Sequence, residues 1–566
     1  MNFLIALLAG AASAFAFQPY ALWPLMPIAF AVLCELIARA PRLRSAIGLG
    51  YAFSVGQFCV GLNWIATAFT YQAAMPAWLG WVAVFLLSLY LAVYPMLAAG
   101  LAWRFGRERR VALVLALAGS WAICEWLRGT MFTGFPWNPV GVSLVDTPWR
   151  STLPTIGTYG LSILVVLAGG GLWLLAKREW GAVTSIAAAL ALQLFLPQET
   201  VPEPSNLRVF DVAASPAPAP PRPNPEGVSV REPTPPPVMP PPPMMPPTPQ
   251  SPPPGTDIDP GFRLGPAYSR IRIVQPNIGQ QDKWREGFGA TAARRLAQLS
   301  QQPSDQPPSL LLWPEAAVTE PLLDERIGAA PTIDAERRRV AEAGAGSEYI
   351  LTGGLGLRSS DGNRVDGAVN SVFALDRSGK LVARYDKAHL VPYGEYLPMR
   401  PILSAIGLSR LAPGDLDFAA GPGPRTIVLP HWGKVGIQLC YEIIFSGEVV
   451  DSAHRPDFIF NPSNDAWFGR WGPPQHLAQA RLRAAEEGLA VIRATPTGIS
   501  AVVDPAGKIV KSLPWRTAGV IDAQLPPPFR LTLFARLGNV IPLTLGFLLL
   551  AIAIALGRRR RYSAHI

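Results

Sequence analysis

Cysteine and histidine are scarce in this chain, which has four cysteines and five histidines in 566 residues. No CxxC pair or His/Cys cluster occurs, so we expect no metal site. Cys34, Cys59 and Cys124 lie inside apolar runs, where a reduced thiol behaves as a small hydrophobic residue. Cys440 is the only cysteine in the more polar part of the chain, which excludes an internal disulfide there and favours a nucleophilic role.

Charge is scarce as well, and it is unevenly distributed. Only 16% of the residues are charged and 50% are hydrophobic. The first 200 residues carry few charges, whereas residues 270–530 carry most of them. This contrast predicts a membrane part joined to a water-soluble part. The net charge of +10 does not indicate a nucleic-acid partner, because the basic residues lie beside apolar runs, where membrane topology explains them.

Eight apolar runs predict about eight membrane helices, since most approach the ~20 residues that cross a bilayer. They lie at 3–17, 21–38, 45–69, 78–103, 111–128, 157–176, 180–197 and 539–556. For the first run, a cleaved signal peptide is the alternative, although no basic residue precedes it.

Basic residues are absent from alternate connections between these runs. Residues 18–20 and 70–77 contain no Lys or Arg, whereas basic residues follow the second, fourth, sixth and eighth runs. The positive-inside rule then places both termini in the cytoplasm and the segment between the last two runs outside it. We therefore expect a multi-pass protein of a bacterial inner membrane with a periplasmic domain.

Proline is concentrated in a low-complexity segment that cannot build a core, and we interpret it as a disordered linker. Binding of a partner through PxxP motifs is the alternative. The chain is thus divided into a bundle at 1–198, the linker at 199–265, an extracytoplasmic domain at 266–532, and a last span with a basic tail at 533–566.

The connection between the fifth and sixth runs is longer and contains Thr133-Gly134-Phe135-Pro136-Trp137-Asn138-Pro139. Its two prolines exclude a regular helix, and its aromatic residues favour the headgroup level of the membrane. An interfacial loop and the lip of a lipid entry path are equally good interpretations.

In the extracytoplasmic domain, strand-like and helical patterns alternate, which predicts an α/β layered fold. Three apolar strand-like runs each end in a residue that can take part in catalysis. Glu315 follows 309–313, Lys387 follows 381–385, and Cys440 closes 435–440. A carboxylate that deprotonates a thiol and an ammonium that stabilises the resulting thiolate form a plausible catalytic set. Spacing alone does not show that the three residues meet.

Four motifs carry a resemblance to the nitrilase superfamily, whose members use a Glu–Lys–Cys triad in an αββα sandwich. They are Trp313-Pro314-Glu315, Tyr385-Asp386-Lys387, Cys440-Tyr441-Glu442 and the run from Asn461 to Gly469. Together with the apolar runs and the segment 133–137, the chain resembles the apolipoprotein N-acyltransferase family. The resemblance covers nearly everything except the proline-rich insert.

The resemblance implies an acyltransferase that needs no cofactor. An acyl chain would pass from a phospholipid, with phosphatidylethanolamine the expected donor, to the N-terminal amine of diacylglyceryl-cysteine apolipoproteins. Cys440 would carry the acyl group as a thioester, Glu315 would act as general base, and Lys387 would stabilise thiolate and oxyanion. Nothing in the sequence demands more than a monomer.

The resemblance also implies supporting residues, each with a structural alternative. Glu395 would orient the catalytic lysine, or it lies on the surface. Tyr441 and Glu442 would belong to the site, or they pack at a strand end. Trp284 would face the lipid, or it belongs to the core. Pro496 stands where the family commonly has asparagine, which puts any contact made there in doubt.

Other interpretations remain open from the residues alone. His389 is an alternative partner for Cys440 in a Cys–His dyad. A membrane-tethered amidase or nitrilase-type hydrolase, in which water replaces the amine, is an alternative enzyme. A non-catalytic scaffold that binds lipoproteins is the third interpretation.

Overall fold

The computed structural model describes residues 1–71, 76–194, 270–283, 288–344, 346–405 and 416–563. The predicted linker and Trp284 lie outside these described residues.

The N-terminal part is helical, as its apolar runs predict. Its helices are α1 Asn2–Ser13, α2 Leu25–Ala38, α3 Leu43–Gly61, α4 Ile65–Ala68, α5 Leu79–Leu91, α6 Val93–Gly106, α7 Arg110–Thr130, α8 Leu153–Ala176 and α9 Trp180–Leu194.

The C-terminal part combines helices with strands. Its helices are α10 Gln280–Lys283, α11 Phe288–Ser300, α12 Ala330–Ala343, α13 Arg400–Ala405 and α14 Gly472–Glu487, and α15 Leu533–Leu537 and α16 Val540–Ser563 close the chain. Its strands are β1 Arg270–Gln275, β2 Leu310–Leu312, β3 Pro321–Asp324, β4 Tyr349–Arg358, β5 Gly367–Asp376, β6 Leu381–Asp386, β7 Thr426–Leu429, β8 Gly433–Ile437, β9 Phe458–Pro462, β10 Val491–Ala494, β11 Ser500–Val503, β12 Ile509–Leu513 and β13 Gly519–Gln524.

Four helices of the described chain are long and apolar enough to cross a membrane, and a pair bent by 47° would make a fifth. The four are Leu79–Gly106, Arg110–Thr130, Pro148–Ala176 and Val540–Arg558, and the bent pair is Leu43–Gly61 with Ile65–Tyr71. Three shorter apolar helices occupy the remaining predicted runs: Asn2–Ala16, Leu25–Ala38 and Trp180–Leu192. The runs are therefore helical as predicted, but the number of eight spans is not established.

Small residues bring the membrane helices into close contact. A Cβ atom added at Gly10 of α1 would lie 1.7 Å from the Phe53 carbonyl oxygen of α3. At Gly119 of α7 it would lie 2.3 Å from the Gly546 carbonyl oxygen of α16. Such backbone contacts are typical of helices packed in lipid. The C-terminal helix therefore belongs to the same bundle as the N-terminal ones.

The strands form two sheets. The first has the order β13-β1-β2-β4-β5-β6 with β3 paired to β4, and the second has the order β12-β11-β10-β9-β8-β7. In each sheet the central strands are parallel and the outer pairs are antiparallel. Parallel strands that are buried on both faces have continuous apolar sequences, and strand β2, which consists of three buried leucines, is an example.

The two sheets share one apolar core, in which Ile273 and Leu312 of the first meet Ile437 and Phe460 of the second. Helices α11 and α12 pack on the outer face of the first sheet. Helix α14 packs on the second sheet with one face and on the membrane bundle with the other. The layer order is αββα, so α14 is the layer that joins the sandwich to the bundle.

One predicted strand is shorter than the sequence pattern indicates. β8 ends at Ile437, and Cys440 opens the 3-10 helix Cys440–Ile444. Cys440 itself has φ of 52°, in the left-handed region. The nucleophile candidate thus lies on a turn after the strand and not in the strand.

Candidate active site

Three strand ends bring their predicted residues together. Glu315 lies just beyond β2, Lys387 directly follows β6, and Cys440 lies just beyond β8. All three side chains are buried. The first two belong to one sheet and the third to the other, so the site lies between the two sheets.

Lys387 is held between two carboxylates. Its Nζ lies 2.9 Å from Oε1 of Glu395 and 3.6 Å from Oε1 of Glu315. Burial alone would lower the pKa of Lys387, but the negative charges of Glu395 and Glu315 outweigh it and raise the pKa. The ammonium therefore stays charged beside the nucleophile.

Cys440 is a thiol in the resting site. Burial raises its pKa well above the ordinary value, and the charge of Glu315 raises it further. Lys387 and the backbone N–H of Asn464 act in the opposite direction. Oε2 of Glu315 is buried and accepts no hydrogen bond from the described residues. The charge of Glu315 thus acts on a protonated thiol, and one oxygen of that carboxylate has no hydrogen-bond donor among the described residues.

Asn370 is a site residue that the sequence analysis missed. Its Nδ2 donates to Oε1 of Glu315 at 2.8 Å and to Oε1 of Glu395 at 2.9 Å. It lies on β5, where it stands beside buried Val369 and shortly before buried Val372. A polar amide within an otherwise apolar strand is the sequence signal that could have identified Asn370 as a candidate site residue.

Glu395 fits the predicted role of orienting Lys387. Besides its contacts with Lys387 and Asn370, its Oε2 accepts a hydrogen bond from the backbone N–H of Val391 at 2.8 Å. The side chain is buried, unlike the surface alternative. Glu395 thus holds the ammonium more closely than Glu315 does.

Glu442 ties the two strand ends together. Its Oε1 accepts hydrogen bonds from the backbone N–H groups of Ala388 at 2.7 Å and His389 at 3.0 Å, and from the Tyr385 hydroxyl at 2.8 Å. Its Oε2 accepts from the N–H of Leu439 at 2.7 Å. Because these amides flank Lys387 and Cys440, the carboxylate sets the position of both.

Tyr441 faces the membrane part. Its hydroxyl donates to the Gly134 carbonyl oxygen at 3.2 Å, and its ring packs edge-on against Phe445. Trp284 lies outside the described residues, so its predicted role is not tested.

His389 contacts the loop between α7 and α8 and the ring of Phe445. Burial lowers its pKa, so the ring is neutral, and its Nε2 bonds to the Thr133 carbonyl oxygen at 2.7 Å. The ring stacks on Phe445 with centroids 3.8 Å apart. Among the described residues no hydrogen bond joins His389 to Cys440, so the geometry does not favour a Cys–His dyad.

The loop between α7 and α8 contributes to the joint between the two parts of the chain. Trp137 is fully buried, its Nε1 donates to Oε1 of Gln475 at 2.8 Å, and its ring lies 4.4 Å from that of Trp64. This tryptophan therefore packs within the protein, and its expected depth at headgroup level stays a prediction. Phe132 is 82% exposed and remains available to lipid.

The comparisons with known proteins agree with this division of the chain. Residues 9–171 match the model of the apolipoprotein N-acyltransferase N-terminal domain. Residues 270–529 match the model of the carbon-nitrogen hydrolase family. The first match covers most of the bundle, and the second covers the two sheets.

Relatives of known name match nearly the whole chain. An apolipoprotein N-acyltransferase of Rhodopseudomonas palustris is 32% identical over 95% of this chain and 92% of its own length. One of Bradyrhizobium diazoefficiens is 33% identical over 99% of this chain and 95% of its own length. Both relatives are matched over nearly their whole length, so the chain belongs to the apolipoprotein N-acyltransferase family.

Proposed function

We propose that this chain is a bacterial inner-membrane enzyme that moves an acyl chain from a phospholipid to the N-terminal amine of diacylglyceryl-cysteine lipoproteins. The observation that carries the proposal is a buried thiol beside a free carboxylate oxygen and a charged ammonium, in a domain that packs on an apolar helical bundle. The family of the chain supports the same reaction.

In the first half-reaction, Glu315 takes the proton of Cys440 as Sγ attacks the carbonyl carbon of the phospholipid ester. The ammonium of Lys387 stabilises the oxyanion of the tetrahedral intermediate, an interaction worth a few kcal/mol where water is excluded. The ester C–O bond then breaks, and the leaving alkoxide takes the proton from Glu315. A lysophospholipid leaves, and the acyl chain remains on Cys440 as a thioester.

In the second half-reaction, the free amine of the lipoprotein attacks the thioester carbonyl. Glu315 removes a proton from the attacking nitrogen, and Lys387 again stabilises the oxyanion. The C–S bond breaks, the sulfur regains its proton, and an amide is formed. The two acyl transfers thus use the same three residues.

A bundle of eight spans would hold this site at the periplasmic surface of the membrane. The three shorter apolar helices pack on longer ones, as α1 does on α3 through Gly10. The basic residues in alternate connections support a cytoplasmic position of both chain termini. Both substrates are then lipids or lipid-anchored peptides that reach the site from the bilayer, and a monomer suffices for the reaction.

The test uses the detergent-purified full chain with phosphatidylethanolamine and a synthetic diacylglyceryl-cysteine peptide. We expect the peptide to gain one acyl mass in a hydroxylamine-stable amide, and Cys440→Ala to abolish the gain. Release of free fatty acid without acylated peptide would instead identify a hydrolase. Neither product would identify a non-catalytic protein.

A further inference from the structure

The turn that carries the nucleophile is in an unfavourable backbone conformation. Cys440 has φ of 52°, which is uncommon for a residue with a Cβ atom and persists only where surrounding contacts enforce it. One such contact precedes the turn, where Glu442 accepts the N–H of Leu439. Two more are on the carbonyl of Cys440 itself, which lies 3.1 Å from Nε2 of His476 and accepts a longer hydrogen bond of 3.5 Å from Nδ2 of Asn461.

The proton of His476 is on that nitrogen. Burial lowers the pKa of His476, and the charge of Arg493 lowers it further, so the ring is neutral. Nδ1 lies 3.0 Å from both Nη2 of Arg493 and Oδ1 of Asp465, so its contacts alone do not fix the tautomer. The Cys440 carbonyl oxygen can only accept a hydrogen bond, so its contact with Nε2 places the single proton on Nε2, and Nδ1 accepts from Arg493. The Nε2–H consequently donates to the Cys440 carbonyl oxygen.

The imidazole is fixed by a buried polar network. Arg493 Nη2 donates to both carboxylate oxygens of Asp465 at 2.7 and 2.8 Å, and Nη1 donates to the Ser463 hydroxyl at 2.8 Å and to the Asn461 side chain. Burial alone would raise the pKa of Asp465, but the charge of Arg493 lowers it, so the carboxylate is ionised. These side chains have no room to reorient, because all are buried.

The same imidazole touches the membrane part. Its ring centroid lies 5.3 Å from that of Trp137, which comes from the loop between α7 and α8. The preceding residue, Gln475, accepts from Trp137 and donates to the Gln18 carbonyl oxygen at 3.1 Å. His476 is thus in contact with the nucleophile turn on one side and with the bundle on the other.

We propose that His476 is a positioning residue, whose Nε2–H holds the Cys440 carbonyl so that the thiol stays directed at Glu315 and Lys387. Its contact with Trp137 makes this geometry depend on how the α/β part packs on the bundle. The proposal rests on the acyl-enzyme route proposed above. The effect of His476 on the reaction passes through the backbone of Cys440.

Two amide substitutions separate positioning from a merely structural role. In His476→Gln the amide nitrogen reaches the place of Nε2 and keeps the donor, whereas in His476→Asn the side chain is one carbon shorter and cannot reach the carbonyl. His454→Asn is the matched control, because His454 is exposed and contacts only Asp451 in the described chain. The measurement is the rate of acyl-enzyme formation on phosphatidylethanolamine, followed by intact-protein mass spectrometry, with the thermal unfolding midpoint of each variant.

We expect His476→Asn to slow acylation about 100-fold, the usual cost of a misplaced reacting group. His476→Gln should stay within about threefold of the wild type, as rescue by a retained donor requires. A folded His476→Gln as slow as His476→Asn, or a His476→Asn as fast as the control, would overturn the proposal. If His476→Asn does not fold, the Gln variant decides alone. A wild-type chain that forms no acyl-enzyme would instead refute the proposed function.

Discussion

Glu486 accepts a hydrogen bond from the backbone N–H of Thr158 at 2.7 Å, and the two residues belong to different parts of the chain. Gly157 interrupts α8 with φ of 62°, so Thr158 begins a new helical segment whose first N–H groups lack partners within the helix. A carboxylate from α14 supplies one such partner, where the helix dipole also favours a negative charge. The α/β part therefore caps a membrane helix.

Glu486→Ala should loosen this joint. Nε of Arg483 lies 2.7 Å from Oε2 of Glu486, so the two side chains form an ion pair, although the N–H does not point at the oxygen. Both residues are buried. Removing the carboxylate leaves a buried cation, which we expect to cost about 3 kcal/mol of unfolding free energy. The midpoint of thermal unfolding in detergent checks this, with Glu342→Ala on the exposed face of α12 as control. Equal midpoints for the two variants would contradict the capping role.

The ionisation of Cys440 should respond in opposite directions to its two charged neighbours. Glu315 raises the pKa of the thiol and Lys387 lowers it. In Glu315→Gln the thiolate should therefore form at lower pH than in the wild type, and in Lys387→Met at higher pH. The pH profile of iodoacetamide alkylation at the Cys440 peptide measures both shifts. The reverse order would exclude this electrostatic arrangement, while acyl transfer should fail in both variants.

Asn370→Asp should disable the site without unfolding the domain. The change is isosteric, but it removes the two N–H groups that hold Glu315 and Glu395 and adds a third carboxylate between them. We expect acylation to slow by about 100-fold, as for a displaced catalytic group. Asn363→Asp, on an exposed turn, is the control and should keep the wild-type rate. Similar rates for both variants would remove Asn370 from the site.

His389→Phe tests the dyad that the sequence leaves open. Phenylalanine keeps the stacking on Phe445 and loses only the contact with the Thr133 carbonyl oxygen. We expect acyl-enzyme formation to fall less than about tenfold, since ring stacking is retained. A loss of about 1,000-fold or more would identify His389 as the general base.

The layered fold and the three strand ends were accessible from the sequence because they depend on local patterns. The apolar runs before Glu315 and Lys387 are strands β2 and β6. Strand β12 has no such pattern, because it lies at a sheet edge, where half-exposed residues such as Lys511 give no apolar alternation.

Contacts between distant segments could not be predicted. Asn370 meets Glu315 across 55 residues, and His476 meets the Cys440 carbonyl across 36. The early end of β8 has the same origin, because Glu442 takes the Leu439 N–H that a longer strand would have used. Periodicity reports which face of a strand is buried, but it contains no information on such side-chain acceptors.

The thioester on Cys440 is the feature most directly open to measurement. Intact-protein mass spectrometry of the purified chain after incubation with phosphatidylethanolamine alone should show a gain of one acyl mass, because no amine is present to complete the transfer. Hydroxylamine should remove the gain, and Cys440→Ala should never acquire it. Transfer to a diacylglyceryl-cysteine peptide by a chain that shows no such adduct, or by Cys440→Ala, would contradict the acyl-enzyme mechanism.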